Sequence, residues 1–127
     1  MTKGLPHPVV VSLADTFAKF DDAWSPKIVG DVNDMQVKLV KLRGEFVWHH
    51  HQEEDELFLV VAGRLQMRLP DGDREIGPGQ FIIVPRGVEH CPVALTPEVH
   101  VVLLEPATTV NTGSAPGART VRAPDRL

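Results

Sequence analysis

Apolar and polar positions follow the pattern of short β-strands over most of the chain from Lys27 to Pro106. Runs rich in β-branched residues, among them "KIVGDV", "MQVKLVKLRG", "LFLVVAG" and "FIIV", are separated at close intervals by Gly, Pro, Asn and Asp. Such runs are typical of strands joined by tight turns. The spacing predicts about eight or nine short strands, arranged as an antiparallel sandwich or a closed barrel.

One short helix is predicted before the strands. Ser12 and Asp15 have the spacing of a capping box, in which the first side chain caps the start of a helix. Leu13, Phe17 and Phe20 then recur at helical spacing. The pattern therefore predicts a single amphipathic helix in an otherwise all-β chain.

Three regions differ in composition along the chain. Residues 1–26 are predicted to form an arm, interrupted by prolines over residues 1–8, together with the short helix. Residues 27–106 are predicted to form the β-barrel. Residues 107–127 lack large apolar side chains apart from scattered valines and the last leucine, so they cannot form a core of their own. That tail is predicted to lie extended across the barrel or a partner subunit, or to be partly mobile.

Length and charge narrow the classes of function. The 127 residues suffice for one domain, and 43% of them are apolar. The net charge is −4 and no Lys or Arg stripe is present, so nucleic acid and membrane are not predicted as partners. The chain has no apolar run long enough for a signal peptide or a membrane span, and its single Cys91 excludes an internal disulfide. A cytoplasmic protein is therefore predicted.

The segment "WHHHQEEDELF" concentrates three histidines and four carboxylates in eleven residues. Alternate residues of a strand share a face, so His49 and His51 are predicted to project together and His50 to project away. Glu56 follows His51 by five positions, an odd number that would put it on the opposite face of an unbroken strand. It can share the face of His49 and His51 only if a turn or bulge precedes it. Burying this carboxylate is costly unless a cation pairs with it. The cluster alone fits either a metal site or a solvated charged loop.

A second motif follows the first at a short distance. The first block is His49-x-His51-x4-Glu56-x6-Gly63, and the second is Gly79-x5-Pro85-x-Gly87-x2-His90. With these two blocks, the segment from Met35 to Pro106 resembles the cupin superfamily. Two departures stand out: four residues instead of five lie between Gly44 and His49, and Ala94 replaces the usual final Asn. Residues 46–113 also resemble small bacterial cupins often described as mannose-6-phosphate isomerase-like.

The resemblance implies a double-stranded β-helix, or jelly roll, with a metal site on its inner face. The implied ligands are His49, His51, Glu56 and His90. Three imidazoles and one carboxylate are compatible with Mn, Fe, Co, Ni, Cu or Zn, and they leave coordination positions open for water or substrate. Small cupins commonly dimerise, and "LFLVV" is apolar on both faces, so a homodimer is predicted.

Two hypotheses for function follow from the resemblance. The first is a metal-dependent enzyme of isomerase, lyase or dioxygenase type, acting on a small oxygen-rich metabolite such as a sugar or organic-acid derivative. The second is a non-catalytic module that binds a small molecule. Glu54 and Asp55 are candidates for a general acid or base at the barrel rim, and the alternative for both is a solvated turn.

Overall fold

A short helix precedes eight strands in the part of the chain that the computed structural model describes, residues 7–127. The predicted arm at residues 1–8 therefore lies mostly outside the described residues. Helix α1 spans Leu13–Phe17, and the strands are β1 (Lys27–Val32), β2 (Met35–Leu42), β3 (Glu56–Ala62), β4 (Leu65–Arg68), β5 (Arg74–Ile76), β6 (Phe81–Val84), β7 (Cys91–Ala94) and β8 (Val99–Pro106).

The strands form two antiparallel sheets that enclose the core. The larger sheet has the order β1-β2-β8-β3-β6 and the smaller has the order β5-β4-β7. This architecture confirms the predicted all-β double-stranded β-helix with one short helix. The sheets bury one continuous apolar cluster between them: Val40, Leu42, Phe58, Val60, Leu65, Met67, Ile76, Val84, Val99, Val101 and Leu103.

Strand β3 shows how alternate side chains are directed to the inner face of the sheet. Glu56, Phe58 and Val60 are buried, whereas the residues between them are only partly covered. The turn over residues 52–55 sets this parity, as the sequence predicts. Glu56 is thereby the inward-facing first residue of a strand whose other inward residues are apolar.

Helix α1 covers part of the outer face of the larger sheet. The Ser12 hydroxyl accepts a hydrogen bond from the backbone N–H of Asp15, as expected of an N-cap. The Phe17 ring stacks on His100 of β8 with a centroid distance of 4.5 Å. This contact buries the outer side of β2 beside it, where Leu39 is fully inaccessible. No helix in residues 7–127 is long and apolar enough to cross a membrane.

The segment before the acidic turn is not the strand that the pattern "EFVWHHH" predicts. Its two isolated bridges, Glu45 with Val93 and His49 with His90, both join it to residues 87–94. The pairing shifts by one residue between these bridges, so a continuous ladder does not form. The His50 carbonyl accepts a hydrogen bond from the C-terminal tail instead.

The C-terminal tail, residues 107–127, lies across the barrel. The N–H of Ser114 donates to the His50 carbonyl at 2.9 Å, and the Ser114 hydroxyl accepts from the His50 N–H at 3.0 Å. At the far end, the N–H of Leu127 donates to the Ile28 carbonyl of edge strand β1 at 2.9 Å. The tail therefore both backs the histidine segment and covers a sheet edge.

Candidate metal centre

Four buried side chains from three parts of the chain converge inside the barrel. His49 and His51 come from the irregular segment before β3, Glu56 opens β3, and His90 immediately precedes β7. One potential ligand atom from each residue lies within 4.8 Å of those from the others, and all four residues are buried. These are the four residues for which the sequence predicts metal binding. The donor set is compatible with a divalent metal ion.

Three of the converging polar atoms have no hydrogen-bond partner. His51 Nε2, His90 Nε2 and Glu56 Oε1 are all buried and unpaired. The two nitrogens lie 3.3 and 3.5 Å from Glu56 Oε1, at poor hydrogen-bonding angles. Unpaired buried polar atoms are rare because each costs free energy. A cation at their common centre would satisfy all three atoms together, so the residues fit the ion that the donor set implies.

Backbone carbonyls fix the tautomers of two histidines. His49 Nδ1 lies 2.8 Å from the Val47 carbonyl oxygen, and His90 Nδ1 lies 2.9 Å from the Val88 carbonyl oxygen. In each case the carbonyl two residues earlier accepts a hydrogen bond from Nδ1–H, so the proton stays on Nδ1 and the Nε2 lone pair is free. Each ring is thus held by its own backbone in the form that binds a metal through Nε2.

The surroundings also favour the protonation states in which His49 and Glu56 can coordinate a metal. Burial, reinforced by the neighbouring His90, lowers the pKa of His49 to about 4, so this imidazole is neutral at neutral pH. Burial raises the pKa of Glu56, but the approach of the His51 and His90 imidazoles outweighs it and holds the pKa well below its usual range. Neutral imidazole and ionised carboxylate are the states that coordinate a metal.

A buried pair of charged side chains, not predicted from the sequence, lies beside the centre. Lys38 Nζ lies 3.0 Å from Glu105 Oε1, and both side chains are 2% exposed. Burial, together with the neighbouring Glu56, raises the pKa of Glu105 well above its usual range, against the opposing effect of Lys38. The alternation of β8 contained a signal for this position, because Glu105 continues the buried series of Val99, Val101 and Leu103.

A cavity of about 30 Å³ is lined by two of the four residues, His49 and Glu56, and has room for a small number of water molecules. Its wall is mostly apolar and includes Trp24, Phe46, Phe58 and Leu103, with Glu105 among the few polar groups. The Trp24 and Phe46 rings stack with centroids 4.5 Å apart. The Phe46 ring in turn meets His49 edge to face at 5.5 Å, so an aromatic wall leads to the centre.

The two candidate acid–base residues lie outside this cavity. Glu54 accepts a hydrogen bond from the Thr108 hydroxyl of the tail at 2.8 Å. Asp55 is exposed and accepts from the backbone N–H of Arg86 at 2.9 Å, which ties the acidic turn to the Pro85–Gly87 bend. Neither residue is among those that line the cavity. A catalytic role for either one stays a prediction.

Gly113 is where the tail approaches the histidine segment most closely. It has a φ of 48°, and a Cβ atom there would overlap the His50 carbonyl and come within 3.0 Å of His51 Nδ1. We expect Gly113→Ala to lower the thermal melting temperature and to make the tail more susceptible to limited proteolysis, because the tail must move away from the barrel. Gly117→Ala is the control, since a Cβ there meets no atom within 4 Å. Equal stability and proteolysis for both variants would contradict this packing.

Comparison with known proteins identifies relatives of the chain. A family model described as a cupin domain matches residues 37–106. The uncharacterized protein YdbB of Bacillus subtilis (strain 168) is 35% identical over 63 residues, which cover 49% of this chain and 56% of that protein. The match therefore spans little more than half of that curated relative's length.

Solved structures give two further comparisons. A cupin-2 domain containing protein from Shewanella frigidimarina NCIMB 400 is 41% identical, with a TM-score of 0.74 over 76% of this chain and 94% of that one. A structure described as a sugar phosphate isomerase of the cupin superfamily, from Silicibacter pomeroyi DSS-3, is 25% identical, with a TM-score of 0.54 over 64% of this chain and 55% of that one.

Proposed function

The chain belongs to the cupin domain family, and from that premise we propose that His49, His51, Glu56 and His90 bind one divalent transition-metal ion. The convergence of three unpaired buried atoms, His51 Nε2, His90 Nε2 and Glu56 Oε1, is the observation that carries the proposal. Without a cation, the fold would bury these atoms at a cost of roughly 1–3 kcal/mol each. A bound ion would remove this cost, because each of the three atoms would form a coordination bond.

We propose further that the protein is a small metal-dependent enzyme of isomerase, lyase or dioxygenase type. The ion, when bound, would supply Lewis acidity for polarising a carbonyl or enolate oxygen of the substrate. The chain would supply orientation through the Trp24–Phe46 wall, and the apolar cavity would exclude water.

The composition of the cavity wall indicates which part of a substrate could approach the centre. The described residues that line the cavity include no Lys or Arg, which are the usual partners of a phosphate group. The similarity to a sugar phosphate isomerase therefore supports isomerase chemistry more than it supports a phosphorylated substrate. We propose a small oxygen-bearing metabolite, such as a sugar or organic-acid derivative, of which the cavity of about 30 Å³ would receive only the uncharged end that approaches the centre.

A non-catalytic binding module is the alternative function. It is favoured by one observation: the rim carboxylates Glu54 and Asp55 are engaged elsewhere and do not line the cavity. In this alternative the same ion would hold a small ligand through its open coordination positions. Turnover of any small keto or hydroxy compound by the metal-loaded protein would exclude this alternative.

Elemental analysis tests the proposed metal site directly. We expect tag-free wild-type protein to contain about one equivalent of a transition metal, and the His49→Ala/His90→Ala variant to contain none above background. Iron would direct assays to oxygen consumption, and Zn, Ni or Mn would direct them to isomerase and lyase reactions. An absence of metal in the wild type, even after reconstitution, would refute the proposal.

We propose that the protein is a homodimer in the cytoplasm, with the outer face of the larger sheet as its interface. Side chains of β3, β6 and β8 form an apolar surface there: Leu57, Leu59, Phe81, Ile83, Val102 and Leu104. Phe81 is 60% exposed and Ile83 is 52% exposed on the edge strand β6. A second copy suits this surface because an uncharged apolar face is complementary to itself about a two-fold axis.

Light scattering tests the dimer. We expect twice the monomer mass for the wild type and the monomer mass for Ile83→Glu, because the substitution would bury a charge at the interface. Val32→Glu is the matched control, since Val32 is 54% exposed at the opposite edge of the sheet. A monomeric wild type at all concentrations would rule out this interface.

A further inference from the structure

Three neighbouring strands bring a row of charged side chains to the inner face of the larger sheet. Strand β8 lies between β2 and β3. Leu57 of β3 is paired with Leu104 of β8, so the next positions along, Glu56 and Glu105, are cross-strand neighbours on the inner face. On the other side of β8, Lys38 of β2 is paired with Leu103, one inward position away from Glu105. The row therefore runs Lys38, Glu105, Glu56 toward the metal centre.

The contacts along this row are close and fully enclosed. Lys38 Nζ donates to Glu105 Oε1 at 3.0 Å, with both side chains 2% exposed. Glu105 and Glu56 occupy adjacent inner positions of paired strands, and both side chains line the same cavity. Among the described residues, Glu105 Oε2 has no hydrogen-bond partner. Glu105 is thus held by a buried ammonium on one side and lies beside a proposed metal ligand on the other.

A gain in stability does not explain why Lys38 and Glu105 are buried together. Replacing a buried ion pair with apolar side chains of similar volume is often neutral or even stabilising. The position of the pair beside Glu56 suggests a different role, because groups next to a carboxylate ligand hold that ligand in place. We propose that Glu105, anchored by Lys38, is a positioning residue that orients the Glu56 carboxylate for metal binding.

This inference rests on the proposed metal site and adds residues that do not themselves reach the ion. Glu56 Oε1 is directed toward His51 Nε2 and His90 Nε2 at 3.3 and 3.5 Å. Rotation of the Glu56 side chain would turn this oxygen away from the two nitrogens. Because Glu105 fills the neighbouring inner position, it would obstruct that rotation, and the bond from Lys38 would hold Glu105 there.

Metal titration of three variants tests the inference, with Co²⁺ alone as the probe. We expect Lys38→Met/Glu105→Leu to fold, because both charges are removed together, yet to bind Co²⁺ roughly 10- to 100-fold more weakly than the wild type. Glu105→Gln should stay near the wild-type affinity, because its amide accepts from Lys38 and donates to Glu56. The Co²⁺ absorption bands should change in the double variant and not in Glu105→Gln, since they report the ligand geometry.

Lys41→Met is the matched control for removing a buried ammonium from the same strand. Lys41 is also buried in β2, but it donates to the Phe20 carbonyl on the outer face, away from the centre. Its Co²⁺ affinity and spectrum should equal those of the wild type. If the double variant binds Co²⁺ like the wild type, the positioning role is refuted while the metal site stands. If the wild type itself binds no Co²⁺, the metal site and the positioning role are refuted together.

Discussion

Replacing His90 with alanine is expected to abolish tight metal binding. His90 is fully inaccessible, and its Nε2 is one of the unpaired atoms that face Glu56. Losing a direct ligand should weaken metal affinity by more than the roughly 10- to 100-fold that follows loss of an outer contact. Isothermal titration of metal into the metal-free variant measures the change. The same variant should also lose the increase in melting temperature that the metal gives to the wild type.

His50→Ala is the control for this prediction, because His50 belongs to the same run of three histidines. Its Nδ1 lies 2.8 Å from Glu89 Oε1, in a partly exposed pair that lies apart from the four converging residues. The variant should bind metal with the affinity of the wild type. Equal losses in the two variants would mean that the histidine run, and not the buried centre, is responsible for binding.

Replacing Leu65 with alanine is expected to lower the free energy of unfolding by about 2–5 kcal/mol. Leu65 opens β4, is completely buried and belongs to the core cluster between the two sheets. Its truncation removes apolar contacts and leaves a cavity that the two sheets cannot close. A domain of this size is stabilised by only about 5–15 kcal/mol, so the variant should unfold at a much lower urea concentration.

Leu95→Ala provides the matched comparison in the smaller sheet. Leu95 follows β7 next to the partner of Leu65, Ala94, but its side chain is 47% exposed. Its truncation should cost less than about 1 kcal/mol, because much of the side chain is already in water. Urea denaturation of the metal-free proteins gives both values. Similar losses for the two leucines would contradict the placement of the core.

The convergence of the proposed ligands could be predicted from local sequence because it depends on strand parity and short motifs. Alternation predicted that His49 and His51 project together, which they do although their segment is not a regular strand, and the polar turn before Glu56 predicted its inward orientation. His90 was connected to them only through the resemblance to cupins. The position of His90 depends on its backbone bridge with His49, a residue far from it in the chain.

The surroundings of the centre could not be predicted, because they depend on long-range pairings. Lys38 and Glu105 are 67 residues apart and meet only through the register of β2 with β8. The cavity wall takes Trp24 from before the first strand, and the backing of the histidine segment comes from the C-terminal tail. The predicted strand over the histidines is wrong because its pairing with residues 87–94 shifts by one residue between the bridges at Glu45 and His49, which local sequence does not reveal.

Anomalous diffraction from a crystal of the metal-loaded protein tests the proposed centre most directly. Data collected on both sides of the absorption edge of the bound metal locate the ion and identify it. We expect a single strong peak per chain, about 2.0–2.2 Å from ligand atoms of His49, His51, Glu56 and His90. A peak at another set of residues, or none in protein saturated with metal, would contradict the proposal that these four residues form a metal site.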